Sequence, residues 1–322
     1  MRAQSLLRLL NSIRFQKLYP NEILIIDGST DDKTKSMLEQ NSFSNLTYFK
    51  VEERFRGLTK QRNYGIARVE ETSSVVCFLD DDTVLNPEYF YEVINVFKNN
   101  SEISGVGGVA INENKWIKKK EGVRYNKIDY FQLNDFVIKE ARRNKARHYF
   151  GLKSDKMPGI MPDFSHVRTC GYPLDGKNYE VDLLIGMSMS FRKNVTDCIS
   201  FSPYFEGYGL YEDADFSIRA LKFGKNVICT RAQLEHLHDD SGRPNKYAYG
   251  KMVVRNGWYV WRVKNSKPNR LTIFKWHAIT LLLIIIRATN CINKSKREEA
   301  FTETCGRIVG WISLFYKKPT VR

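Results

Sequence analysis

An α/β fold, with a mixed and mainly parallel sheet flanked by helices and followed by a helical tail, is what the order of apolar segments predicts. Three observations carry that expectation. Short apolar runs, EILII (Glu22–Ile26) and VVCFL (Val75–Leu79) among them, alternate with helix-like segments. VVCFL is apolar at every position, as a strand covered on both faces must be. Both runs stop at acidic turns, Asp27 and Asp80–Asp82, and α/β sheets bind ligands beyond their strand ends.

Taken in order, Leu6, Leu7, Leu10 and Ile13 fall on one face of an opening helix, which Tyr19-Pro20 ends. EILII reads as a strand, Asp27-Gly28-Ser29-Thr30-Asp31 as a turn and N-cap cluster, and a helix begins at about Lys33. NLTYFKV is a second strand, LTKQRNYGIARV a helix and VVCFL a third strand. GVGGVAI (Gly105–Ile111) is another strand. Residues 112–180, polar, basic and aromatic with weak periodicity, read as an insertion. VDLLIGMSMSF resumes the strand pattern, EDADFSIRALKF is a helix closed by Gly224, and NVICT is a short strand. The expected organisation is a catalytic domain over 1–240 and a basic, apolar helical region over 241–322.

A chain of 322 residues, 42% hydrophobic, is long enough for a substantial core and too apolar for disorder. Six cysteines, Cys77, Cys170, Cys198, Cys229, Cys291 and Cys305, show no CxxC pair, which suits a reducing cytosol. Of the net charge of +15, residues 241–322 supply 17 Lys and Arg against 3 Asp and Glu. The body is therefore near neutral and no nucleic-acid partner is expected.

FLDDDTVLNPEYF (Phe78–Phe90) places three carboxylates side by side at a strand end. Such crowding is costly unless a cation neutralises it, and oxygen ligands favour a hard ion, Mg2+ or Mn2+, of the kind that also holds substrate phosphates. Taken alone the stretch equally suits a solvated turn capping the helix near Pro87. Glu212 and Asp213 open a helix, where the dipole favours ionised carboxylates, and in EHLHDD His236 and His238 point to one side of an extended chain.

Read together, NEILIIDGSTDDKT, GLTKQRNYGI, VVCFLDDDTVLNPEYF, GVGGVAI, GMSMSFRKNV and FEGYGLYEDADFSIRALKFGKNV resemble the successive motifs of family 2 glycosyltransferases, over residues 5 to about 240. The resemblance implies a GT-A (Rossmann-like) fold and inverting transfer from a nucleotide sugar. It places Asp27, Ser29, Arg62, Asn63, Asp80 and Asp81 around the nucleotide sugar. Asp80 and Asp82 form the DxD pair, with Asp82 the direct metal ligand and His236 or His238 a further contact. Glu212-Asp213 becomes the acid pair with Asp213 the general base, and Gly186 and Met187 lie on the acceptor side.

Family chains open with a strand and a Pro-Thr-Tyr-Asn-like loop ahead of the helix matching Ser5–Arg14. This sequence starts at the helix, so a central strand is expected to lie upstream or to be missing. The turn after Asp27 is one residue shorter than the commonest form, and Thr83 stands where a fourth acid is frequent. A nucleotidyltransferase on a similar fold is the competing enzyme class. It would carry a glycine-rich phosphate loop near the start, and none is visible.

KWIKKK and ARRNKARHYF in the insertion mix cations with aromatic rings, suited to a saccharide or phosphate-bearing acceptor. In the tail AITLLLIII falls short of the roughly 20 residues that span a bilayer. Gly306 and Gly310 carry a helix-contact spacing, and Trp276 and Trp311 are flanked by cations. Interfacial helices on an anionic membrane, at the inner face of the cell membrane with a lipid-linked saccharide or polysaccharide as acceptor, fit that pattern. A helical lid on the catalytic domain fits it as well.

Overall fold

The computed structural model describes residues 2–168, 171–238 and 244–321, so Cys170, Asp239 and Asp240 lie outside the described residues. In chain order the elements are α1 (Ala3–Arg14), β1 (Ile23–Asp27), α2 (Lys33–Glu39), β2 (Leu46–Lys50), α3 (Leu58–Ile66), β3 (Val75–Leu79), β4 (Thr83–Leu85) and α4 (Tyr89–Asn99). There follow β5 (Ile103–Ala110), β6 (Ile117–Lys118), β7 (Tyr130–Leu133), β8 (Phe136–Lys139), α5 (Arg142–Tyr149), β9 (Asn178–Val181), β10 (Ser188–Arg192) and α6 (Lys193–Cys198). The last are α7 (Glu212–Ala220), β11 (Lys225–His236), α8 (Lys246–Lys264), α9 (Arg270–Thr289) and α10 (Arg297–Tyr316). The chain divides into two compact units, residues 1–114 with 170–241 and residues 115–169 with 242–322. Most of the inserted stretch therefore clusters with the tail.

The first unit has a six-stranded sheet in the order β3-β10-β5-β11-β4, with β9 also on β11, and a separate parallel pair β1-β2. The sheet is mixed, as expected, but less parallel: β5-β11 run parallel, whereas β10 lies antiparallel between β3 and β5, and β4 and β9 lie antiparallel to β11. Strand β10 runs in the same direction as β9, which precedes it by a short loop, so both lie antiparallel to β5 and β11. On the side of β1 away from β2, the Gln61 side chain donates to Ile26 O at 2.7 Å, meeting a backbone acceptor that no described strand pairs.

Core packing explains the sequence pattern. Helix α1 buries Leu6, Leu9, Leu10 and Ile13, and α4 buries Tyr89, Phe90, Val93, Val96 and Phe97, each at i, i+3, i+4 spacing. Leu9 thus takes the place expected of Leu7, which packs at the rim. The glycines of GVGG let neighbours close on β5: a Cβ at Gly105 would stand 2.3 Å from Asn226 Oδ1. That amide holds two buried carbonyls, donating to Asp182 O at 3.0 Å and Ser217 O at 2.9 Å.

In the second unit β6, β8 and β7 form a three-stranded antiparallel sheet, and α8 packs on α10. The Gly306 and Gly310 spacing works here within the chain: a Cβ at Gly306 would meet Tyr247 O at 2.1 Å, and one at Gly250 would meet Glu303 O at 2.2 Å. Trp276, expected at a membrane interface, is instead fully buried against Trp258 and Trp261. Its cationic flank drew the interfacial reading, but its ring completes an aromatic core. The tail is also longer in helix than its apolar run suggested, since Arg270–Ile292 is long and apolar enough to cross a membrane and only 22% of that window is buried.

Candidate active site

Three element ends converge in the first unit. Asp80–Asp82 follow β3, and Thr83 closes their turn by donating from both N and Oγ1 to Asp80 O, at 3.2 and 2.8 Å. Helix α3 supplies Arg62, and the start of α7 supplies Glu212 and Asp213. Strand β11 runs antiparallel to β4 with His236 opposite Thr83, and Leu237 N donates to Asp82 O at 2.9 Å. That pairing carries His236 to the aspartates.

Arg62 joins the site. Its guanidinium reaches Glu212 Oε1 at 2.6 Å, Asp80 Oδ1 at 3.2 Å and Gly186 O at 3.1 Å. Gly186 N in turn donates to Asp213 Oδ2 at 2.8 Å, and Ala214 N donates to Asp213 Oδ1. Beneath Arg62 lie the rings of Phe78 and Phe201. A Cβ at Gly186 would crowd Glu212, Arg62 and Asp213 at 3.3 to 3.4 Å, so only glycine leaves these charges their contacts undisturbed.

The environment tilts Glu212, Asp213 and Asp80 toward protonation. Burial and neighbouring Asp213 push the Glu212 carboxyl up to about 8, against the pull of Arg62. Burial also raises Asp213, opposed by the Gly186 and Ala214 amides, and raises Asp80, opposed by Arg62 and reinforced by Asp82. Glu212 is buried and committed to Arg62, whereas Asp213 is only half-buried. Asp213 is therefore the more accessible of the two acids. Tyr211, immediately before α7, holds a left-handed backbone (φ 72°), a strained conformation of the kind that collects at working sites.

One atom each from Asp80, Asp82 and His236 lie within 4.8 Å of one another, an oxygen-rich set with one nitrogen that fits Mn2+ or Mg2+. The Arg2 guanidinium stands in for such a cation, pairing with Asp81 and, at 3.1 Å, with Asp82 Oδ2. His236 is raised by its bond to Asp82, with burial opposing and Glu113 adding. His238 sits further out, exposed, with Nε2 at 2.8 Å from Glu113 Oε1.

Other expected contacts have different work. Asn63 binds the Phe201 backbone at both ends, Nδ2 to O at 2.9 Å and Oδ1 from N at 2.8 Å, so its amide fixes a loop. Asp27 is fully buried and accepts from Ser29 N, Ser29 Oγ and Tyr48 Oη. Burial acts to raise its carboxyl, yet the bonds from Ser29 and Tyr48 outweigh it and hold the group below the ordinary range. Met187 buries its side chain in the core, and only its carbonyl, accepting from Asp80 N at 3.2 Å, touches the site. Glu113 and Arg2 were missed, the first because it opens a stretch read as insertion, the second because nothing in sequence links it to residue 81.

The sequence pattern described as Glycosyl transferase family 2 matches residues 1–157. Among solved structures, the fold is similar to a mannosyltransferase from Pyrobaculum calidifontis, PcManGT, in complex with GDP-Man and Mn2+, at TM-score 0.50 and 13% identity, covering 99% of this chain and 85% of that one. GalNAc-T7 with UDP, GalNAc and Mn2+ (TM-score 0.48, 12% identity, 98% of this chain and 57% of that one) and residues 1–349 of S. aureus TarS (0.45, 12%, 97% and 88%) are more distant and carry no argument here. No curated protein sequence gives a significant match. At such identities the structural likeness speaks for the fold alone. Residues 1–157 thus match the glycosyl transferase family 2 pattern, and the architecture is GT-A-like.

Proposed function

We propose that the chain is a divalent-metal-dependent glycosyltransferase that passes a sugar, with inversion, from a nucleoside-diphosphate sugar to a hydroxyl of a lipid-linked saccharide or polysaccharide. The observation that carries the reading is the Arg62 bridge, which sets a cation-ready Asp80/Asp82/His236 group beside a reachable Asp213. The nucleotide sugar and Mn2+ in the Pyrobaculum structure support the same donor and ion class.

A bound Mg2+ or Mn2+, held by Asp80, Asp82 and His236, supplies Lewis-acid stabilisation of the diphosphate leaving group. Asp213 accepts the proton of the acceptor hydroxyl as its oxygen bonds to the anomeric carbon and the carbon–diphosphate bond breaks. Its raised affinity for protons makes it a stronger base than an ordinary aspartate, and the Gly186 amide keeps the carboxylate aimed. Glu212 holds Arg62 in place. One displacement with one base gives inversion.

Apolar side chains exposed on α9 and α10, including Phe274, Ile285, Ile312 and Phe315, together with the basic tail support a place at the cytoplasmic face of an anionic membrane. The test of the enzymatic reading is incubation with Mn2+ and a panel of nucleotide sugars, measuring free nucleoside diphosphate. One donor is expected to turn over, and Asp213→Asn to lose on the order of a hundredfold or more while still binding that donor. No release from any donor with any acceptor lipid or glycan extract, or full turnover in Asp213→Asn, overturns it.

A further inference from the structure

His236 is gripped from behind. The Asn112 side chain clamps its backbone, Nδ2 donating to His236 O at 2.8 Å and Oδ1 accepting from His236 N at 3.0 Å. The ring is held separately: Nδ1 lies 2.8 Å from Glu113 Oε1, while Nε2 faces Asp82 Oδ1 at 3.4 Å. Asn112 and Glu113 are neighbours in the short turn of helix, Ile111–Glu113, that ends β5. One turn therefore fixes both the main chain and the ring of His236. An imidazole that donates Nδ1–H to a carboxylate presents Nε2 as a lone pair, and such a partner both orients a metal-binding histidine and makes it more basic.

We propose that Glu113 is the positioning residue of the cation site: by accepting Nδ1–H of His236 it selects the tautomer whose Nε2 joins Asp80 and Asp82 around the divalent ion. The inference rests on the metal-dependent reading above. Glu113 touches neither donor nor acceptor in this scheme and acts only through the histidine. Glu113, His236 and His238 also lie close enough to hold an ion themselves. The separation of the two ring nitrogens argues for the inner arrangement, because there His236 faces two aspartates that otherwise repel, whereas the outer trio already satisfies itself by hydrogen bonds to one carboxylate oxygen.

The test measures Mn2+ binding to the full chain without donor, by calorimetry, and records electron spin echo modulation from histidine nitrogen on bound Mn2+. Glu113→Ala is expected to weaken Mn2+ about 10- to 100-fold and to diminish the nitrogen modulation. Glu113→Gln, whose amide oxygen still accepts Nδ1–H, restores most of both, and His238→Ala matches wild type. Wild-type affinity and modulation in Glu113→Ala, with Asp82→Ala unable to bind, refutes the positioning role and leaves the metal-dependent reading standing. A loss in His238→Ala equal to that in Glu113→Ala, with Asp82→Ala binding normally, moves the ion to the outer trio and refutes it too. If wild type binds no Mn2+ even with a nucleoside diphosphate present, the metal-dependent reading itself falls.

Discussion

Glu212→Gln should change how stability depends on pH. The residue is 5% exposed, and its carboxyl, flanked by Asp213, is pushed from an ordinary 4.5 to about 8 in the folded protein. Between those values the folded state keeps a proton that the unfolded chain has released. The contribution of Glu212 is therefore complete below about pH 4.5 and disappears as pH rises through 8. At about 1.4 kcal/mol per unit, the full shift bounds the loss at roughly 5 kcal/mol. The value near 8 already includes the pull of Arg62, and relaxation around a buried ionised carboxyl brings the expected loss to about 2–4 kcal/mol. Gln cannot titrate and should flatten this part of the curve, while Asp213 and Asp80, raised in the same direction, leave a residual slope. Urea unfolding of both proteins near pH 5 and near pH 8, without divalent cations, reads the difference in slope. Any constant offset from the lost ion pair cancels in that comparison. Parallel stability curves for wild type and Glu212→Gln would refute the reasoning.

Asp82→Ala should lose metal-dependent binding of UDP, GDP or dTDP by calorimetry with Mn2+, and unchanged affinity for whichever nucleotide binds wild type counts against the aspartate site. Gly306→Val should cost at least about 1–3 kcal/mol by overpacking, because the added carbons meet the Tyr247 carbonyl instead of a movable side chain; a melting temperature equal to wild type would show that α8 and α10 do not cross there. The full chain should float with anionic vesicles better than with neutral ones and release partly with salt, at about 1 kcal/mol per basic residue near the surface. Phe274→Asp with Ile285→Asp, both at exposed positions, should weaken that attachment without unfolding the protein. Failure of wild type to float with either vesicle at low salt removes the membrane placement.

How much of this was legible follows from which interactions are local. The burial of α1 and α4 is written in helical spacing, and β3 announced itself by unbroken apolarity, so elements and their acidic ends read directly from sequence. Asp80, Asp82 and Glu212-Asp213 share this property, because a strand end and a helix start are local features. The Glu113 and His236 pairing does not: it exists only because β11, over 12 residues, runs between β5 and β4. Nor is the division of labour on α3 local, since Arg62 turns to the acids while its neighbour Asn63 turns to Phe201. Trp276 reads as interfacial from its flanks, and its burial depends on Trp258 and Trp261 in another helix.

The charge inventory gives the crowded aspartates their physical reason. Asp80, Asp81, Asp82, Glu212 and Asp213 are gathered around Arg62, Arg2 and His236. Among the described residues these five acids outnumber the three cations beside them, and burial with mutual repulsion raises Glu212 and Asp80 toward protonation. A purely structural cluster has cheaper solutions, since an apolar or singly acidic turn caps α4 equally well. A divalent ion with an attached diphosphate is another matter: the ion offsets the aspartates, and the phosphates restore negative charge where Arg62 and Arg2 can meet it. On the proposed reading the arrangement is unfavourable by itself and favourable when filled, and it concentrates binding energy on the end of the donor where the leaving group develops its charge.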